Sequence, residues 1–154
     1  MRRKMNYRKM TADDAGFLTR VFSVPEYDLY FAENDTSAED WKERILRYYN
    51  EKQSLIIVEE SKDIGWLMYD IQEQTCIVDI IVLLPDERYH GYGKTVMADL
   101  VSKNAQIKKV QLDVQQRNTP AILFYKNLGF AVVSEEVQPV NGEPVTYYNM
   151  ELSL

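Results

Sequence analysis

The stretch from Cys76 to Lys103, C-I-V-D-I-I-V-L-L-P-D-E-R-Y-H-G-Y-G-K-T-V-M-A-D-L-V-S-K, constrains the fold more than any other part of the chain. Cys76 to Leu84 is almost continuously apolar and rich in β-branched residues, the pattern of a strand buried on both faces. Pro85 ends it, because proline offers no ladder donor. Arg88, Gly91 and Gly93 then give R-x-x-G-x-G, and behind them Val96, Met97, Leu100 and Val101 recur at helical spacing. A strand, a glycine loop and a helix in this order suit an anion. The first N–H groups of a helix lack intrahelical partners, and the helix dipole adds partial positive charge there. Glycines let phosphate oxygens approach the backbone, and Arg88 or Lys94 can add full charge. A pyrophosphate fits such a loop. A purely structural turn is the other reading of the bare pattern.

The rest of the chain supplies further elements. Met5 to Lys9 can form a first strand. Thr11 can cap a helix whose first turn holds Asp13 and Asp14 and whose apolar face is Phe17, Leu18, Val21 and Phe22, with Pro25 closing it. Trp41, Ile45, Leu46 and Tyr49 mark a second amphipathic helix, with Ser37 as its cap. Ser54 to Glu59 and Ile64 to Asp70 read as strands joined by a turn at Ser61-Lys-Asp, and Gln72-Glu-Gln-Thr turns into the apolar strand. Lys108 to Val114 alternates as a half-buried strand does. Asn118-Thr-Pro opens a helix that Gly129 closes. A strand from Ala131 follows, Asn141-Gly supplies a hairpin turn, and Val145 to Leu152 is the last strand, with Tyr148, Met150 and Leu152 on one face. The order βααβββαβαββ indicates an α/β domain around a mixed sheet.

Composition narrows the function. A chain of 154 residues is most simply one domain with a sizeable core. No apolar run approaches the roughly 20 residues of a membrane span, and no signal-peptide core follows the basic start, so the expected location is the cytoplasm, away from membranes. The net charge of −6 opposes nucleic acid as a partner, although Arg2, Arg3, Lys4, Arg8 and Lys9 cluster. Cys76 is the only cysteine and sits in the apolar strand, where it reads as a core residue. With His90 the only histidine, a metal site or a Ser-His-Asp triad has little to build on. The stretch Glu26 to Asp40 carries Glu26, Asp28, Glu33, Asp35, Glu39 and Asp40, with aromatic residues and no lysine or arginine. It is either a solvated loop or an acidic lip that attracts a cationic amine.

The segment L-L-P-D-E-R-Y-H-G-Y-G resembles motif A of the GNAT superfamily, the acyl-CoA-dependent N-acyltransferases, which reads V-x-P-x-x-[QR]-x-x-G-x-G. Leu83 stands where valine is usual, and Tyr89 and His90 replace the common glycine and basic residues. N-T-P-A-I-L-F-Y-K-N-L-G-F, from Asn118 to Phe130, resembles motif B, N-x-x-A-x-x-x-Y-x-x-x-G-F. The resemblance implies a single N-acetyltransferase domain over residues 1-154, with six or seven strands and a V-shaped cleft between the fourth and fifth. It implies acetyl-CoA as cosubstrate, its pyrophosphate held by Arg88, Tyr89, His90, Gly91, Tyr92, Gly93 and Lys94. The pantetheine arm would lie on backbone groups of Ile81, Val82 and Leu83. A backbone N–H near Leu83 would polarise the thioester carbonyl, a role often worth about 3 kcal/mol in the transition state.

Asn118 matches the motif B asparagine that contacts the cofactor; a helix cap is its other reading. Tyr125 matches the tyrosine that protonates the departing thiolate, a role that suits a phenol because it keeps its proton at pH 7. Its other reading is aromatic packing. Asp79 interrupts the apolar strand and, by alternation, shares a face with Ile77, Ile81 and Leu83. A carboxylate there needs a partner or a wet cleft. It reads as a base or as an anchor for an ammonium group, with a structural ion pair as the alternative. Asp113 on the next strand is the second candidate base, with a solvated position as its alternative. The expected reaction is direct transfer of an acetyl group to a small cationic amine, such as a polyamine or an aminoglycoside-like compound. A protein N-terminus or lysine is the next acceptor, and a non-catalytic acyl-CoA-binding module is the rival of a different class. The reading allows a homodimer.

If the glycine loop holds pyrophosphate, Gly91→Asp or Gly93→Asp abolishes acetyl-CoA binding by like-charge repulsion while the fold survives. Calorimetry on the folded variants measures this, and unchanged affinity removes the loop from the site.

Overall fold

A computed structural model describes residues 4–22, 38–47, 52–87, 91–140 and 142–154. The elements run β1 (Asn6–Lys9), α1 (Ala15–Val21), α2 (Ala38–Arg47), β2 (Gln53–Glu59), β3 (Lys62–Gln72), β4 (Thr75–Leu83), α3 (Tyr92–Lys103), β5 (Lys109–Gln115), α4 (Thr119–Asn127), β6 (Ala131–Val140) and β7 (Glu143–Ser153). This is the predicted order, with short 3-10 turns before α1 and after β4. The expected features at Pro25, Ser37, Tyr49 and Asn141 lie outside the described residues.

Thr11 caps as its sequence suggests. Its hydroxyl accepts from the Asp13 N–H at 3.3 Å, and Asp14 reaches back to the Thr11 N–H at 2.8 Å. Arg8 grips the same Asp14 carboxylate through both terminal nitrogens and also pairs with Asp63. This member of the N-terminal basic cluster is therefore committed to holding β1, the capped turn and β3 together. The turn expected at Ser61-Lys-Asp lies one residue earlier. Glu60 and Ser61 both have positive φ, 49° and 66°, and close a two-residue hairpin that pairs Glu59 directly with Lys62.

The strands form one sheet of seven in the order β1-β2-β3-β4-β5-β7-β6. Every neighbouring pair is antiparallel except β4 and β5, which α3 joins by a crossover. Helices α3 and α4 cover one face through a core that includes Val96, Met97, Leu100, Ile122, Val110, Leu112 and Met150. Tyr148 and Leu152 pack against this core with Met150, as the alternation in β7 requires. Among the described residues, helices α1 and α2 cover the other face only over β2 to β4. There Phe22 stacks on Trp41 at 5.1 Å, and Trp41 meets Trp66 edge-on at 5.8 Å.

Two bulges shape β3 and β4. Ile64 is an extra residue between the partners of Ile57 and Val58. Asp79 is an extra residue between Val78, which pairs with Tyr69, and Ile80, which pairs with Met68. A bulge reverses the alternation beyond it. Cys76 and Val78 therefore share the α3–α4 core with Ile81 and Leu83, whereas Ile80 and Val82 join the α1–α2 core. This corrects the expectation that Asp79 shares a face with Ile81 and Leu83, because simple alternation does not survive the inserted residue. It also corrects the expectation of a strand buried on both faces throughout, since Asp79 is exposed.

Beside the first bulge, Gly65 sits against β4. A Cβ there would come within 2.4 Å of the Val82 carbonyl oxygen and 2.8 Å of Leu83 Cδ2. Gly65→Ala therefore lowers stability by about 1–3 kcal/mol or more, since a ladder carbonyl cannot swing aside. Urea unfolding reads this as a lower midpoint at constant slope.

Candidate active site

The β4–β5 ladder ends at Val78 and Leu112, although β4 runs on to Leu83 and β5 to Gln115. Past that pair the strands have no ladder register, and a cleft of about 300 Å³ opens between them. Its walls include Asp79, Ile81, Asp113, Gln115, Asn118 and Tyr125. The volume is at the low end of small-molecule sites.

Tyr125 is buried on α4 between Phe124 and Phe130, whose rings lie 5.3 and 5.5 Å away edge-on. Among the described residues its hydroxyl has no hydrogen-bond partner. Burial alone pushes the phenol far above its ordinary value. It keeps its proton at any working pH and can give it only to a strong base formed beside it. The aromatic packing expected of Tyr125 is present, and its protonated hydroxyl lines the cleft.

Asn118 is the N-cap of α4. Its Oδ1 accepts from the Ala121 N–H at 3.3 Å. The capping reading is correct, and it leaves Nδ2 on a residue that also lines the cleft.

The two aspartates differ. Asp79 pairs with the Lys52 ammonium at 3.0 Å, which is the ion pair named as the alternative reading of this residue. Asp113 has no ion-pair partner among the described residues. Its carboxyl is raised above the ordinary value by burial first, then by Glu136 and Asp79. Both aspartates sit where the ladder fails, one residue past its last pair. Cys76 is fully buried, and burial with help from Asp79 and Asp70 pushes its thiol up to about 11. That agrees with a core role and leaves little thiolate.

At the other proposed subsite, Gly91 is the N-cap of α3 with φ 79°. This left-handed conformation favours glycine. It offers no side-chain cap, and the first turn of α3 holds no acidic residue. Tyr92 is buried and Lys94 is exposed. A Cβ on Gly93 would meet the Phe124 ring at 3.0 Å, so Gly93 also serves close packing of α3 on α4. Gly91 has open space around its Cβ position but any side chain there is strained by the positive φ, so the charge test needs Gly91→Ala as a control for strain without charge. Arg88, Tyr89 and His90 lie outside the described residues, as do residues 23–37 of the acidic stretch. Glu39 and Asp40 fall in the first turn of α2.

The structure thus brings Asp79, Ile81, Asp113, Asn118 and Tyr125 to one cleft, with Gly91 to Lys94 at a helix start away from its walls. Gln138, at the start of the hairpin from Gln138 to Val145 in which acceptor specificity is expected, lines the cleft, whereas Lys52, Gln115, Glu136 and Tyr147 carry no local sequence signal. Gln115 and Tyr147 are cross-strand partners and Glu136 faces Tyr147 from β6, so only the strand register reveals them.

The acetyltransferase (GNAT) family model matches residues 18–130. The chain belongs to this family. No curated protein sequence matches it. Its fold is similar to that of a GNAT-family acetyltransferase from Bacillus anthracis, at 17% identity and a TM-score of 0.80, over 99% of this chain and 97% of that one. It is also similar to spermidine N-acetyltransferase from Vibrio cholerae in complex with CoA and spermine, at 17% identity and a TM-score of 0.78, over 97% and 95% of the two chains. The ribosomal-protein-S18-alanine N-acetyltransferase from Escherichia coli gives 14% identity and a TM-score of 0.72, over 97% and 94%.

The raised Asp113 carboxyl has a consequence for stability. Where the folded value exceeds the unfolded one, the folded form binds protons more tightly, so stability falls as pH rises from the ordinary carboxylate value through the raised one. Asp113→Asn removes that loss. Its Tm exceeds that of the parent at pH 7, and the gap closes near pH 3, where both states are protonated. Thermal melts across this range check the sign.

Proposed function

We propose that residues 1–154 act as one domain that transfers the acetyl group of acetyl-CoA directly to the primary amine of a small cationic metabolite or antibiotic-like molecule in the cytoplasm. The observation that carries this reading is the end of the β4–β5 ladder in a cleft that joins a buried phenol to two carboxylates. Family membership supplies the chemistry, because GNAT enzymes use acetyl-CoA. The Vibrio cholerae relative, bound to CoA and spermine, supports a polycationic acceptor.

In this reading the N–H groups from Gly91 to Lys94, with Arg88, Tyr89 and His90, hold the pyrophosphate. The freed edge of β4 around Ile81, Val82 and Leu83 takes the pantetheine amides, and Asn118 Nδ2 adds a donor. Asp79 anchors the amine in exchange for the Lys52 ammonium that pairs with it. Asp113 is the better base, since its carboxyl is raised and unpaired among the described residues. Asp113 takes the proton from the attacking nitrogen. A new N–C bond forms, the C–S bond breaks with its electron pair on sulfur, and Tyr125 protonates that sulfur. The β4 backbone meets the negative charge on the carbonyl oxygen.

Mixing the protein with acetyl-CoA and a panel of amines releases free thiol if the reading is right. Binding of acetyl-CoA without thiol release from any amine would instead mark a non-catalytic acyl-CoA-binding module. Tyr125→Phe keeps the ring among its aromatic neighbours and removes the proton. It lowers kcat by about 10²–10⁴-fold with little change in acetyl-CoA affinity. Full turnover, with chemistry shown to be rate-limiting, reduces Tyr125 to packing.

A further inference from the structure

The cleft contains a second phenol whose orientation is fixed by its neighbours. Gln115 is only 2% exposed and lines the cleft with Tyr147. Arg117 Nε donates to Gln115 Oε1 at 2.7 Å, and Gln115 Nε2 donates to the Tyr147 hydroxyl oxygen at 3.1 Å. A guanidinium has only donors, so the amide oxygen must face Arg117 and the amide nitrogen must face Tyr147. The Tyr147 oxygen therefore accepts from Gln115, and its proton points elsewhere. Among the described residues nothing accepts that proton.

The surroundings of Tyr147 are acidic. Gln115 pairs with Tyr147 across the β5–β7 ladder, Asp113 pairs with Asn149 two residues along, and Glu136 faces Tyr147 from β6. Strand alternation places these side chains on the face opposite Leu112, Val114, Tyr148 and Met150, which pack towards α3 and α4. This wall of the cleft therefore holds one oriented donor, Tyr147, and one carboxylate acceptor, Asp113, on the same sheet face. A plain alkyl ammonium satisfies the carboxylate and leaves the phenol proton unused. A hydroxyl on the acceptor can use both, because it accepts from Tyr147 and donates to Asp113. A carbonyl can only accept.

We infer that the acceptor is a hydroxylated primary amine, of the amino-alcohol or amino-sugar type, and that Tyr147, held by Gln115 and Arg117, selects its hydroxyl. This rests on the reading of the cleft as the amine site and names the class of amine within it. It sets a hydroxylated acceptor above a plain polyamine.

The test compares 1,3-diaminopropane with 1,3-diamino-2-propanol, which match in amino groups and carbon skeleton and differ by one hydroxyl, at a pH low enough to keep both as dications in the binding arm. Turnover with acetyl-CoA and calorimetric binding to the CoA-loaded protein are both measured. The parent protein favours the hydroxylated compound by about threefold to tenfold, as for a single neutral hydrogen bond. The preference appears in KM rather than kcat. Tyr147→Phe brings the ratio to about one. Gln115→Glu does the same while keeping the side-chain shape, because a carboxylate accepts the phenol proton and turns it away from the cleft. A merely structural role for Gln115 would not predict that loss.

Equal preference in the parent protein, or a ratio that survives both substitutions, overturns the inference while amine acetylation stands. Absence of binding by either compound also overturns it. Tyr147-dependent binding of the hydroxylated compound without thiol release supports the inference and counts against the transferase reading.

Discussion

A ladder that stops is the constraint on which the rest depends. β4 and β5 pair from Thr75 and Lys109 to Val78 and Leu112 and then separate. Backbone groups left without a partner cost about 1–3 kcal/mol each when buried, so such a gap must be wet or filled. The inserted Asp79 sits at the point of separation. A bulge there adds twist and bends the strand. It also turns Ile81 and Leu83 towards α3 and α4, which lets both cores remain filled on either side of the break. In our proposal an extended ligand bearing amides supplies the partners that β5 withholds.

The two ends of the proposed reaction then fall in opposite electrostatic settings. The first turn of α3 carries no acid and starts from a glycine in the left-handed region, which suits an anion. Asp79, Asp113 and Glu136 gather on the sheet face that α1 and α2 leave uncovered among the described residues. A net charge of −6 can therefore coexist with an anionic cosubstrate, because carboxylates further than a Debye length of about 8 Å are largely screened. Lys52 fits the same logic, since its ammonium occupies the Asp79 carboxylate as an incoming amine would.

Much of the fold was legible because its signals are local. The apolar run before Pro85, the spacing of Val96 to Val101 and the cap at Thr11 each depend on a few adjacent residues, and the element order followed from them. Tyr125 and Asn118 were legible through the motif they share. The bulges were not, because they arise from register against a neighbouring strand rather than from anything in β4 itself. Simple alternation therefore misplaced Asp79 relative to Ile81 and Leu83. Tyr147 was hidden for a related reason. On its own strand it is one polar-side residue among several, and only pairing with Gln115 and Glu136 gives it a role. The Lys52–Asp79 pair joins residues 27 positions apart across an intervening strand, and no local pattern announces it.

The central claim is that cosubstrate and amine meet through the gap beyond Val78 and Leu112, entering from opposite faces of the sheet. A crystal structure with a conjugate that links CoA covalently to a primary diamine tests this directly. The account predicts pyrophosphate at the N–H groups of Gly91 to Lys94, sulfur beside the Tyr125 hydroxyl, and the diamine on the face of Asp79 and Asp113. A conjugate lying wholly on the α3–α4 face, or seated outside the gap, would contradict it.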